Sequence, residues 1–253
     1  MSVARVLIIA GSDSGGGAGI QADVRTVTTL GGHAMTAITA VTAQNTLGVQ
    51  AVHAVPTDMV VAQMESVLSD IGADAVKIGM IGSAQTAQAV ADVLSGLEGV
   101  PIVFDPVMVA TSGSLLADAG TIAAFARLMR IATLVTPNIP ELAALGGDGI
   151  AARFGCTVLA KGGHGEGATL TDRLFDASGI IKQWRSARID TVHTHGTGCT
   201  LASALAVGLA QGMGIVSAVD RARRYVRASL ECAPGLGGGH GPMGVPAGFA
   251  ADA

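Results

Sequence analysis

The sequence predicts an α/β fold, with a mostly parallel central sheet and helices on both faces. Three observations predict it. Short apolar runs alternate with helical stretches at least five times along the 253 residues, the pattern of repeated strand–helix units. Hydrophobic residues make up 49% of the chain but aromatics only 3%. The core is therefore built from Ala, Val, Leu, Ile and Met, as in parallel strands covered on both sides. Finally, Gly11, Gln44, Met80, Asp105, Asn138 and Lys161 each follow an apolar run. In open α/β sheets ligands sit beyond the C-terminal strand ends, so these six should gather along one edge.

Val6 to Ala10 is a continuous apolar run and reads as a buried strand. It stops at Gly11-Ser12-Asp13-Ser14-Gly15-Gly16-Gly17-Ala18-Gly19, and a helix follows from about Ile20 to Leu30. This loop lacks the Lys-Ser/Thr end of a P-loop and does not fit the dinucleotide fingerprint. It is either a flexible turn or a place where backbone approaches a small molecule. His33 to Thr42 has β-branched alternation and reads as a strand leading to Gln44. Thr57, a plausible cap, opens a helix to about Ser69. Ala75 to Met80 is a strand, and Ser83 caps a helix to about Leu94. Pro101 to Pro106 is a strand ending in Asp105, followed by a helix from about Ala117 to Met129. Thr133 to Asn138 is strand into loop, and Glu141 opens a short helix. Thr157 to Lys161 is a strand. Leu170–Phe175 and Ile180–Arg185 form a strand pair around Ser178-Gly179. The last helix runs from about Ile215 to Glu231, before a glycine-rich tail.

Between the strand pair and that last helix lies His195-Gly196-Thr197-Gly198-Cys199-Thr200, running into an apolar helix to about Gln211. The unbonded N–H groups of a helix's first turn and the positive end of its dipole attract an anion. Gly196 and Gly198 let backbone come close, and a helix N-terminus lowers the pKa of a thiol such as Cys199. A phosphate cradle and a proton acceptor within four residues of each other suit phosphoryl transfer to an alcohol. Taken alone, the same residues also describe a turn before a small core cysteine.

Composition narrows the function. The net charge is −4 with no basic cluster, which disfavours nucleic acid and anionic membrane as partners. No apolar run approaches the ~20 residues of a membrane span, and the N-terminal apolar run is broken at once by glycines, unlike a signal peptide. Cys156, Cys199 and Cys232 are scattered and odd in number, showing neither metal-site spacing nor a disulfide framework, so a cytoplasmic setting is expected. No linker or repeat divides residues 1–253, and one domain is expected.

Seven segments, from Ala10–Asp23 through Thr39–Thr46, Lys77–Met80, Asp105–Met108, Thr136–Glu141 and Lys161–His164 to His195–Thr200, resemble in order those of the hydroxymethylpyrimidine/phosphomethylpyrimidine kinases of thiamine biosynthesis. These enzymes belong to the ribokinase-like superfamily, and the resemblance implies its three-layer fold for the single kinase domain. It also implies two ATP-dependent steps: phosphorylation of 4-amino-5-hydroxymethyl-2-methylpyrimidine, then of its monophosphate. By position, Gly11, Asp23, Gln44, Met80 and Val107 would hold the pyrimidine, with Met80 as an apolar platform. Asp105, Asn138, Glu141 and Lys161 would place the nucleotide, and Asp105 and Glu141 would hold Mg²⁺ through water. Gly196, Thr197 and Gly198 would cradle the moving phosphoryl group, and Cys199 would take the alcohol proton. The resemblance further implies a homodimer. Pyridoxal kinase of the same superfamily is the competing expectation, and a non-catalytic pyrimidine-binding module a remoter one. Between residues 146 and 156 the chain is shorter than the family pattern and lacks its full helix, which predicts a thinly covered sheet face near the nucleotide. Met80–Gly82 and Val107–Gly113 are candidate closing loops.

Overall fold

The computed structural model describes residues 3–111, 113–164 and 167–249. Nine strands form one sheet in the order β3-β2-β1-β4-β5-β6-β7-β8-β9. They are β1 (Ala4–Asp13), β2 (Gly32–Asn45), β3 (Gly48–Ala54), β4 (Ala75–Ile78), β5 (Ile102–Phe104), β6 (Leu134–Val135), β7 (Thr157–Ala160), β8 (Thr169–Asp176) and β9 (Gly179–Ala187). The six strands from β2 to β7 in that order run parallel, while β3, β8 and β9 join antiparallel at the two edges.

Alternation along β1 sends its side chains into two cores. Leu7 and Ile9 pack with Val60 and Met64 of α2 (Thr57–Asp70), Val90 of α3 (Ala84–Leu94) and Phe125 and Leu128 of α4 (Ala119–Ile131). Val6, Ile8 and Ala10 face Val27 of α1 (Gly19–Thr29), Leu205 of α7 (Thr197–Ala210) and Ala222 of α8 (Ile215–Glu231). Helix α7 is buried without a break from Thr200 to Gly208, as its all-round apolar sequence requires. The chain leaves β1 towards β2 on one side and returns to β4 on the other. That reversal opens a crevice at the C-terminal ends of β1 and β4.

Two expectations change, and one capping expectation holds. Thr57 begins α2, but Pro56 holds the cap position, and the Thr57 hydroxyl bonds that of Thr86 at 2.9 Å. Ser83 does cap α3, accepting from the Thr86 N–H at 3.1 Å. The stretch between α5 (Ile139–Leu145) and β7 is not bare: it carries a 3₁₀ turn, Gly147–Gly149, and α6 (Ile150–Phe154). Ile150, Ala151 and Phe154 are buried in the first core. One and a half helical turns suffice because three apolar side chains point at the sheet.

Candidate active site

The site is built where the first glycine loop meets the N-terminus of α7. Asp13, at the end of β1, organises that loop. It accepts from the N–H of Gly15 (2.8 Å), Gly17 (3.0 Å) and Ala18 (2.8 Å), and from His195 Nε2 (2.9 Å). Burial works against its charge, yet His195 and the Ala18 and Gly15 amides hold the carboxyl below its ordinary range. The loop is thereby tied to the residue that precedes Gly196. Gly196 has φ +87°, a conformation that suits glycine. Any Cβ there would overlap the Gly17 carbonyl oxygen, so the two glycine loops lie backbone on backbone.

Helix α7 begins at Thr197, and its first intrahelical bond runs from Thr200 N–H to Gly196 C=O at 2.9 Å. The amides of Gly198 and Cys199 precede that bond and form the anion-binding end. A Cβ on Gly198 would sit 3.2 Å from Asp105 Oδ2 and 3.4 Å from Lys161 Nζ. The cradle therefore faces the carboxylate at the end of β5 and the ammonium beyond β7.

Lys161 Nζ lies 2.7 Å from Asp105 Oδ1, which also accepts from the Thr136 hydroxyl at 3.0 Å. Burial disfavours the Lys161 charge, but Asp105 and Glu141 outweigh it and hold its pKa above the usual lysine value. Asn138 caps α5 and Glu141 answers it: each accepts a backbone N–H of the other at 2.8 Å. Burial pushes the Glu141 carboxyl up, opposed by Lys161 and reinforced by Asp105. A bridge between Asn138 and Lys161 joins the ends of β6 and β7.

On the other side of the crevice, Met80 packs directly over Gly11, where a Cβ would collide with the Met80 methyl. The backbone of Gln44 is pinned by Ser14, and its half-buried side chain reaches His195. Val107 follows Asp105, its N–H bonded to the Asp105 carbonyl at 2.8 Å. Beyond it Val109 and Leu115 pair across a small exposed hairpin. Of the candidate closing loop Val107–Gly113, Ser112 lies outside the described residues.

Two expectations are corrected. Asp23 offers no open oxygen to a ligand: it is fully buried, Oδ2 is 2.7 Å from Lys77 Nζ, and Oδ1 accepts from Ser203 at 2.8 Å. Burial raises the Asp23 pKa against the pull of Lys77, and the hydrogen-bonded pair forms a buried floor. Cys199, which keeps some accessible surface, is not acidified by its helix. Burial pushes its thiol to about 11, with Lys77 and the Gly19 N–H lowering it and Asp23 and Asp105 raising it. Sequence reasoning also missed Asp13, His195 and Lys77 as parts of the site. Their signals were an acid inside a glycine loop, a histidine beside Gly196, and a lysine within an apolar strand.

Among the described residues no group of three or more His, Cys, Asp or Glu converges as a metal site, and no helix is long and apolar enough to cross a membrane.

Known proteins resemble this chain in sequence and in fold. A family described as phosphomethylpyrimidine kinase matches residues 13–244. A hydroxymethylpyrimidine/phosphomethylpyrimidine kinase of Streptomyces coelicolor is 46% identical over 94% of this chain and 93% of its own. The thiamine biosynthesis bifunctional protein ThiED of Geobacter sulfurreducens is 47% identical over 94% of this chain, which spans about half (51%) of that relative's length. Among solved structures, Bacillus subtilis pyridoxal kinase with ADP superposes with TM-score 0.87 at 31% identity, over 96% of this chain and 98% of the other. Phosphomethylpyrimidine kinase of Clostridium difficile does so with TM-score 0.76 at 35% identity, over 88% and 98%. The fold is therefore that of the ribokinase-like kinases, and the chain belongs to the phosphomethylpyrimidine kinase family.

Proposed function

We propose that residues 1–253 act as a single kinase domain. It transfers a phosphoryl group from ATP to hydroxymethylpyrimidine, then a second to the resulting monophosphate, as in thiamine biosynthesis. The observation that carries this reading is the convergence of the Gly196–Cys199 cradle with Asp105 and Lys161. Phosphoryl transfer needs little covalent help. It needs positioning and stabilisation of charge on the equatorial oxygens, and the Gly198 and Cys199 amides with Lys161 supply donors for both.

Asp105 and Glu141 fit a Mg²⁺ that keeps several waters, since that ion is held by one or two carboxylates beside phosphates rather than by a protein cage. When bound, it neutralises phosphate charge. Asn138 holds Glu141 in place, and Thr136 and Lys161 orient Asp105. Gly11, Met80, Gln44 and Val107 form the ring-binding side. Asp23 supports it from below through Lys77.

Cys199 is the proton acceptor of the first step in this reading. With its thiol near 11, only about one molecule in ten thousand carries a thiolate at pH 7. The second step has a phosphate monoester as nucleophile, largely ionised above a pKa of ~6, and needs no such acceptor. The two steps should therefore respond differently to Cys199→Ala.

A second reading, pyridoxal as substrate, is favoured by the higher TM-score of the pyridoxal kinases, one of which was solved with AMP-PCP and pyridoxal. Parallel kinetics with both alcohols and Mg-ATP decide: the account expects kcat/KM to favour the pyrimidine, and a preference for pyridoxal would reverse the assignment. The bacterial relatives and the separated cysteines support a cytoplasmic location. We also carry the family expectation of a homodimer, to be read from the mass in solution.

A further inference from the structure

The side chains of Asp13, His195, Gln44 and Thr42 form a chain whose hydrogen count has only one consistent solution. Asp13 Oδ2 accepts from Gly17 and Ala18, and Oδ1 from Gly15. A carboxylate receiving three backbone N–H groups is an acceptor only. His195 Nε2, 2.9 Å from Oδ2, must therefore carry a hydrogen and aim it at Asp13. The same nitrogen lies 3.2 Å from the Gln44 amide, drawn with Nε2 towards it. Two donors would then face each other. At the other end Gln44 Oε1 is 3.1 Å from Thr42 Oγ1, whose single hydrogen already has an acceptor in Ser12 C=O at 3.0 Å. Both conflicts vanish when the amide is turned by half a rotation, which its near-identical O and N outlines permit. Oε1 then lies beside the single His195 Nε2–H, which it shares with Asp13, and one N–H donates to the Thr42 lone pair.

We infer that Asp13 and His195 are positioning residues that hold the Gln44 amide in this orientation, leaving its second N–H as the group presented to substrate. The ring atom that meets this N–H must then be an acceptor, a ring nitrogen with a free lone pair rather than an amino group. The order runs from the phosphate side to the ring side: Asp13 grips the first glycine loop, His195 precedes Gly196, and Gln44 closes β2. One network thus sets both the cradle and the polarity of ring recognition. The substrate half of this inference rests on the pyrimidine reading; the orientation of His195 does not.

The test has two arms. In the first, imidazole ¹⁵N resonances of the full chain are recorded at neutral pH, with His195 assigned by its loss in His195→Gln. A hydrogen-bearing Nε2 is expected; a bare Nε2 would overturn the orientation, whatever the substrate. In the second, KM and kcat are compared for hydroxymethylpyrimidine and the two analogues in which one ring nitrogen or the other is replaced by C–H. One analogue should show KM raised about tenfold, the equivalent of one lost hydrogen bond, with kcat and the KM for ATP little changed. In Asp13→Asn that penalty should shrink towards unity. His195→Gln, which keeps a donor, should retain more of it than His195→Ala. Equal KM for parent and both analogues, or an undiminished penalty in Asp13→Asn, refutes the ring-recognition claim. Absence of turnover with any pyrimidine would instead overturn the proposed function, leaving the first arm to stand or fall alone.

Discussion

Gly196→Ala is the sharpest perturbation available, because it adds one methyl group at the joint between the two glycine loops. The new Cβ would lie 3.0 Å from the Gly17 carbonyl carbon, 3.2 Å from Ala18 Cα, and on top of the Gly17 oxygen. No flexible side chain can yield; backbone must retreat by roughly 1 Å, and a misplacement of that size costs about 100-fold in rate. Alanine at φ +87° adds about 1–2 kcal/mol of conformational strain. Gly99→Ala separates the two effects, since it too has positive φ (+71°) but meets nothing within 4 Å. At this chain length 1 kcal/mol lowers Tm by about 2–4 °C. Both variants should show a fall of that order, larger for Gly196→Ala. Only Gly196→Ala should lose about 100-fold in kcat. Scanning calorimetry and steady-state ATP turnover read the two quantities. A Gly196→Ala protein with near-normal kcat would refute the claim that loop contact positions the phosphoryl cradle.

Other outcomes follow from the same geometry. Lys77→Met strands the fully buried Asp23 without its partner 2.7 Å away, which should cost about 3–5 kcal/mol in urea denaturation; Lys77→Met with Asp23→Leu should cost less. Asp105→Asn removes the charge that orients Lys161 at 2.7 Å. It should lower kcat by about 10²–10³ at saturating substrates. The first step should quicken with pH, because the acceptor form of Cys199 grows about tenfold per unit while pH stays below its pKa of about 11. The second step should be nearly flat above pH ~7, its nucleophile already ionised. Initial rates of each step from pH 6.5 to 9, roughly, check this; parallel profiles would remove Cys199 from the proton transfer.

Much of the fold was legible because its signals are local. The last helix, Ile215–Glu231, carries its own periodicity and coincides with the expectation. The polar residues that end each apolar run do come together at one sheet edge. What escaped depends on neighbours distant in sequence. Strand β3 is an exposed edge, so no buried face imprinted alternation on Gly48–Ala54. The floor pair joins Asp23 to Lys77, 54 positions apart, and the positioning pair joins Asp13 to His195, 182 apart. Neither has a spacing to detect. Cys199 shows why local rules fail at such a site. A helix N-terminus predicts a more acidic thiol, but burial, with Asp23 and Asp105 adding to it, raises the pKa instead. Asp23 itself looked like a ligand-facing acid one turn into α1. Tertiary packing closed it off.

The most direct measurement is the mass of the products formed from hydroxymethylpyrimidine and Mg-ATP by the intact chain and by its Cys199→Ala variant. The account predicts a monophosphate followed by a pyrophosphate from the intact chain. From the variant it predicts a severe loss of monophosphate, while supplied monophosphate is still converted. Equal loss of both steps in the variant would contradict the role of the sulfur, and no phosphorylated pyrimidine from the intact chain would contradict the account as a whole.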